Sequence, residues 1–197
     1  MNFANEELRK HHLRFQELVK NGQQPKTLFI GCSDSRVVPN LITNTKPGEL
    51  FVVRNIGNFV PPFSPNEDFH ATAAVIEYAV SVLEVEEIVV CGHSHCGAIN
   101  SLFKPKNDNP DLLHVNKWLE LGQKPKEFGE GLDLSQEERI IFTEKYSTLF
   151  QLENLLTYPA VKRRVDEDKL HLNAWYYVME EGKILEYDFE KEDFIPM

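Results

Sequence analysis

Thr27-Leu28-Phe29-Ile30-Gly31-Cys32-Ser33-Asp34-Ser35-Arg36 is a short apolar run that ends in a thiol and then in a turn carrying a carboxylate and a guanidinium two residues apart. Further along, Ile88-Val89-Val90-Cys91-Gly92-His93-Ser94-His95-Cys96-Gly97 repeats the form, with an imidazole just after the run and a thiol three residues later. Short apolar runs bounded by turn residues read as buried strands. Side by side, the two would bring Cys32, His93 and Cys96 to one point. Two thiolates and an imidazole are zinc ligands, and three of them leave the fourth tetrahedral position open, where a structural site is closed by a further Cys or His. The pattern therefore predicts a catalytic metal centre.

The rest of the chain is consistent with one domain over residues 1–197, since 197 residues suffice for one ordinary core and are few for two. A formal net charge of -10 argues against partners such as nucleic acid or an anionic membrane surface, and leaves room for a small anion held by a local arginine. The start, Met1 to Glu7, has no basic stretch leading into an apolar one, and no apolar run approaches membrane-spanning length, so a cytoplasmic location is the expectation. Three cysteines are too few, and odd in number, for a disulfide scaffold.

Helical spacing predicts an amphipathic helix over 5–20, a strand over 27–31, a short helix opened by Pro39, and a strand from Leu50 to Val53 ending at Arg54-Asn55. A loop to about residue 67 precedes a helix over 68–83, a strand over 87–91 and a helix from Cys96 or Gly97 to Phe103. Residues 111–121 read as helical and Gly122 to Gly131 as irregular. Ser135-Gln136-Glu137-Glu138 has the spacing of a capping box and opens a long helix to about Leu156. A short helix after Tyr158-Pro159 and two strands, 170–179 and 183–189, close the chain. Strands alternating with helices predict an α/β fold: a mainly parallel central sheet flanked by helices, with an N-terminal helix and a C-terminal strand hairpin. Ligands of such sheets bind beyond the carboxyl ends of the strands, where Cys32 and His93 fall.

His93 is preferred over His95 as the ligand because, like Cys32, it directly follows a strand and a glycine. Cys91 lies inside an apolar run and reads as core. His11, His12, His70, His114 and His171 are scattered and read as surface residues. Asp34, held as an anion by Arg36, can accept a hydrogen bond from water on the metal and so orient it; swung onto the metal, it would close the site as a fourth ligand. Two thiolates cancel the zinc charge, so bound water is acidified less than in an all-histidine site, and activity is expected to rise toward alkaline pH.

With these residues in place, the chain closely resembles the β-class carbonic anhydrases. Their Cys-x-Asp-x-Arg element is Cys32-Ser33-Asp34-Ser35-Arg36, and their His-x-x-Cys element is His93-Ser94-His95-Cys96. Pro47-Gly48-Glu49, Phe51-Val52-Val53-Arg54-Asn55 and Ile76-Glu77-Tyr78-Ala79 match as well, and the resemblance is dense from about 23 to 103. It implies zinc-dependent, reversible hydration of carbon dioxide to bicarbonate and a proton, by a zinc-bound hydroxide that Asp34 and Arg36 orient. It also implies one Zn2+ per subunit on Cys32, His93 and Cys96, a substrate pocket lined by Gln23, Phe51, Tyr78 and Gly97, and a homodimer or dimer-based higher oligomer with the active site at the subunit interface. A second subgroup of the family binds bicarbonate at a non-catalytic site through a Trp, an Arg and a Tyr. Here Arg54 is present but Phe29 stands at the Trp position, and Gln23 favours the open-site, plant-like subgroup. Three other readings remain beside this one. The same scaffold could hydrolyse carbonyl sulfide or carbon disulfide, or serve as a non-enzymatic zinc protein, although the intact Asp34 and Arg36 speak against the latter. A thiol redox enzyme would want a Cys-x-x-Cys, which is absent.

Overall fold

The computed structural model describes residues 6–65 and 69–197. Two helices lead, α1 (Glu6–Lys10) and α2 (His12–Asn21), followed by β1 (Thr27–Cys32), α3 (Pro39–Ile42), β2 (Leu50–Asn55), α4 (Ala71–Ser81), β3 (Glu87–His93) and α5 (Gly97–Leu102). The second half supplies α6 (Leu113–Leu119), α7 (Gln123–Glu130), α8 (Gln136–Leu156), α9 (Pro159–Asp166), β4 (His171–Val178), β5 (Lys183–Asp188) and β6 (Asp193–Pro196). All six strands join one sheet in the order β2-β1-β3-β4-β5-β6. The pairs β2-β1, β1-β3 and β3-β4 are parallel, and β5 and β6 add antiparallel strands at one edge. This is the α/β architecture the sequence predicts.

The central strands are apolar on both faces because both faces are covered. Leu28, Ile30, Ile88 and Val90 pack on one side with Ile76, Val80, Leu155 and Tyr158, all buried. Phe29, Val89 and Cys91 pack on the other, against Trp175. Cys32 pairs with Asn55 of β2, and Gly31 with Cys91 of β3, so Cys32 and His93 emerge at the same end of the sheet.

Helix α8 lies against that end. It starts at the predicted capping box: the Ser135 hydroxyl accepts the Glu138 amide at 3.3 Å, and the Glu138 carboxylate accepts the Ser135 amide at 2.9 Å. Its inward stripe is polar where an apolar one would be usual, with Thr143, Glu144, Ser147, Thr148 and Gln151 all buried. Gln151 Oε1 accepts the Val60 amide at 2.8 Å, and Asn154 Nδ2 donates to the Val60 carbonyl at 2.8 Å. Tyr158, just past the helix, donates to the Pro61 carbonyl at 3.0 Å. The approach to β3 is close enough that a Cβ on Gly92 would come within 2.6 Å of Thr148 Cγ2.

Several details differ from the sequence reading. The helix expected over 5–20 is interrupted at His11. Met1 to Asn5, residues 66–67 of the expected loop and Asp68, the expected start of the next helix, lie outside the described residues. That helix, α4, begins at Ala71, with His70 Nδ1 accepting the Ala73 amide at 3.4 Å. Residues 123–130, expected to be irregular, form α7. Pro125 sits in the first turn of that helix, where its missing N–H would have had no partner. Gly129 marks a close contact, since a Cβ there would meet Thr143 Oγ1 at 2.8 Å. The C-terminal hairpin gains a third strand, β6, whose Phe194 and Ile195 are hidden in sequence between an acidic run and Pro196. Among the described residues, no helix is long and apolar enough to cross a membrane.

Candidate metal centre

The parallel register delivers the three predicted donors to one point. The ligand atoms of Cys32, His93 and Cys96 lie within 4.8 Å of one another, and all three residues are buried. Cys32 ends β1, His93 ends β3, and Cys96 precedes α5. The turn between the latter two passes through His95, whose φ of 56° is in the left-handed region. The other side of Cys32 is closed by Gly57 at φ 76°, where a Cβ would meet Ala98 Cβ at 2.9 Å; this position requires glycine.

The donor set fits a zinc ion. His93 Nδ1 lies 2.8 Å from the Ser94 carbonyl, an acceptor that assigns the proton to Nδ1 and turns the Nε2 lone pair inward. That Nε2 is buried and has no hydrogen-bond partner among the described residues. Cys32 is the more acidic thiol. The Cys96 S–H, opposed by burial and assisted by His93 and the Asp34 and Gly57 amides, lowers it to about 4. Its anion in turn, together with burial, pushes Cys96 up. Two neighbouring buried thiolates therefore require a cation between them, which a divalent metal supplies. Burial works against a charge on His93, while Cys32 and the Ser94 carbonyl favour it and prevail. Cys91 stands apart, its thiol pushed by burial up to about 12, in keeping with a core residue.

Beside the donors, Arg36 clasps Asp34 with two parallel bonds, Nε to Oδ1 at 2.9 Å and Nη2 to Oδ2 at 2.7 Å, and its own amide adds a third to Oδ1 at 3.0 Å. The guanidinium holds the Asp34 carboxyl well below the usual carboxylate range, so Asp34 is an anion throughout ordinary pH. Arg36 Nη2 also donates to the His95 carbonyl at 3.2 Å, joining the two ligand-bearing loops. Arg54 donates to the carbonyls of Cys32 at 2.9 Å and Asp34 at 2.6 Å. A cleft of about 670 Å³, lined by Ser33, Arg54, Asn55, His70 and Trp118 among others, opens next to this loop.

The match to known proteins spans these residues. A sequence profile of the carbonic anhydrase family matches residues 27–184. A carbonic anhydrase of Helicobacter pylori (strain J99 / ATCC 700824) is 39% identical over 186 residues, covering 92% of this chain and 84% of that protein. One from Synechocystis sp. (strain ATCC 27184 / PCC 6803 / Kazusa) is 41% identical, covering 93% and 67%. Among solved structures, the β-carbonic anhydrase CcaA superposes with a TM-score of 0.90 at 40% identity, covering 98% of this chain and 86% of that one. The tetrameric β-carbonic anhydrases of Sordaria macrospora give a TM-score of 0.77 at 32% identity, covering 91% and 90%. The chain belongs to the β-class carbonic anhydrases.

In this carbonic anhydrase, the residues expected to line the substrate pocket are not all at the centre. Gly97 is, as the first residue of α5 directly after Cys96. Phe51 and Tyr78 stack on each other with ring centroids 5.8 Å apart, but Phe51 pairs with Leu28, at the opposite end of β1 from Cys32. The four residue steps along the strand from Phe51 to Asn55 correspond to about 13 Å. Gln23 is exposed in the loop before β1, at the same far end.

Sequence reading missed two carboxylates that hold the second ligand loop. Glu144 of α8 is buried, its Oε1 accepting the Cys96 amide at 2.8 Å and its Oε2 the Tyr176 hydroxyl at 2.7 Å. Burial raises its pKa, against the pull of those two donors. Glu180, in the turn between β4 and β5, accepts the Ser94 hydroxyl at 2.7 Å and contacts His95 Nε2; these and its local backbone bonds lower it to about 2. The Ser94 hydroxyl in turn accepts the Met179 amide at 3.0 Å. The available signal was the spacing of Glu144, Ser147 and Gln151, which puts polar residues on one face of a helix whose inner face must be buried.

Proposed function

We propose that this enzyme hydrates carbon dioxide reversibly to bicarbonate and a proton at a zinc ion held by Cys32, His93 and Cys96, with Asp34 and Arg36 as its catalytic dyad. The observation that carries the reading is the bidentate Arg36–Asp34 pair set against three buried donors. Zinc at that position would supply the Lewis acidity that makes water a nucleophile, more fully so toward alkaline pH. Asp34 then acts as a fixed acceptor. Its charge is pinned by Arg36, so it takes a hydrogen bond from the attacking water and leaves a lone pair aimed at the substrate carbon. Both Asp34 oxygens are engaged by Arg36, which favours the open arrangement over one in which Asp34 serves as a fourth ligand. Arg54 steadies the loop by filling the Cys32 and Asp34 carbonyls, and this use of its guanidinium competes with any role as a bicarbonate ligand.

The position of Gln23, Phe51 and Tyr78 supports a homodimer, or an assembly of dimers, in which these residues complete the neighbouring subunit's pocket. Within one chain they lie at the wrong end of the sheet for Cys32. Tyr78 is 45% exposed, and Leu13, Val19 and Val82 also leave apolar surface uncovered. Three free buried thiols, two of them needed as thiolates, accord with a reducing compartment such as the cytoplasm.

Stopped-flow hydration of carbon dioxide with a pH indicator tests the reading. Purified protein should be fast, faster toward alkaline pH, and slowed both by chelation and by Asp34→Ala. Folded, zinc-loaded protein with no activity at alkaline pH would refute it. Sedimentation at micromolar concentration should return at least a dimer.

A further inference from the structure

We propose that Glu144 is a positioning residue that sets how tightly this centre keeps its zinc, acting through the backbone amide of Cys96. The inference rests on the zinc reading above and extends it to a residue that touches no ligand atom.

Cys96 stands just before α5, and its own N–H has no use in that helix. It follows a left-handed residue, His95, at the end of the ligand turn. A buried amide needs an acceptor, and here it finds a carboxylate, which makes a stronger bond than a neutral oxygen. Glu144 is 3% exposed and Tyr176, its other partner, also 3%. The Glu144 carboxylate is thus pinned at both oxygens, by β4 on one side and by the ligand turn on the other. Burying a carboxylate is unfavourable, and a glutamine could satisfy the same two partners without a charge. What the carboxylate adds is a pair of acceptor oxygens, one fixed by Tyr176 and the other therefore held on the Cys96 amide. Held there, the N–H cannot turn to donate to a thiolate sulfur and weaken it as a ligand. The Asp34 amide shows the alternative: it does donate to Cys32 Sγ, at 3.4 Å. Groups that orient metal ligands from behind typically change metal affinity or activity by about 10–100-fold when removed.

The test is release of zinc from the loaded, full-length protein into excess chromogenic chelator, with zinc content, kcat and KM measured alongside. Glu144→Ala should release zinc about 10–100-fold faster. Glu144→Gln, which can still accept from Cys96 and donate to the Tyr176 oxygen, should fall between it and the parent. KM for carbon dioxide should not move in either, because Glu144 does not face substrate. Val161→Ala, a core truncation in α9 outside the centre, controls for general loss of stability and should release zinc at the parental rate. A folded Glu144→Ala that keeps zinc as the parent does would overturn the proposal. Should that variant fail to fold, Glu144→Gln decides: faster release supports it, the parental rate overturns it. If the parent itself carries no zinc, it is the underlying reading that fails, and the zinc content of the parent reveals that separately.

Discussion

The two loops that carry the metal donors are secured in opposite ways. After β1, arginines do the holding: Arg36 grips Asp34, and Arg54 fills the carbonyls of Cys32 and Asp34. After β3, carboxylates do: Glu144 takes the Cys96 amide, and Glu180 takes Ser94 and His95. The first loop is partly open to solvent, with the Asp34 side chain 17% exposed, whereas His93 and Cys96 are sealed. The contrast divides the labour. The arginine-held loop joins one buried donor, Cys32, to a partly exposed anion, Asp34, and the carboxylate-held loop supplies the other two buried donors, His93 and Cys96. Loss of Asp34 should impair turnover with the metal retained, and loss of Glu144 should loosen the metal.

The largest effect belongs to the ligands themselves. His93→Ala should lose bound zinc and fall to the uncatalysed hydration rate, as read by metal analysis and stopped flow together. Asp34→Ala should keep its zinc and lose about 100-fold in kcat/KM; loss of metal in that variant would blur the division. Arg54→Ala removes two hydrogen bonds to the first loop, and kcat should drop about tenfold at unchanged zinc content. The smallest effect is expected from Ser135→Ala, which removes the α8 cap two turns before Glu144. It should cost about 1 kcal/mol of stability and leave zinc release untouched. Its pH dependence has a definite sign. The Ser135 hydroxyl and amide hold the Glu138 carboxyl below its ordinary value. A depressed carboxylate adds stability that is full above its unfolded value, near 4.3, and is lost as pH falls through the lower folded value. Melting curves of variant and parent should therefore differ most at neutral pH and draw together in acid.

The sequence made the donors legible because each sits at a strand end, and a parallel sheet turns that local fact into convergence. Asp34 and Arg36 were legible because they lie two residues apart in the same turn. Glu144 and Glu180 were not, because their meaning depends on α8 and the β4–β5 turn reaching a loop far away in sequence. Helix α7 was obscured by Pro125 and Gly129, residues that usually mark irregular chain; here one occupies a first turn and the other a close helix contact. Strand β6 was hidden by its brevity. Arg54 was visible as a residue, but its engagement with two backbone carbonyls is a property of β1 and β2 lying side by side.

Helix α8 serves two parts of the molecule at once. The same rod that anchors Cys96 through Glu144 also grips Val60 through Gln151 and Asn154, and so ties the metal's back wall to the segment beyond β2. These grips lie on one face of a single helix, which couples them. On heating, loss of the ion and loosening of that segment should arrive as a single event, with no warm, metal-loaded but slack intermediate. The enzyme should fail like a latch rather than wear like a hinge.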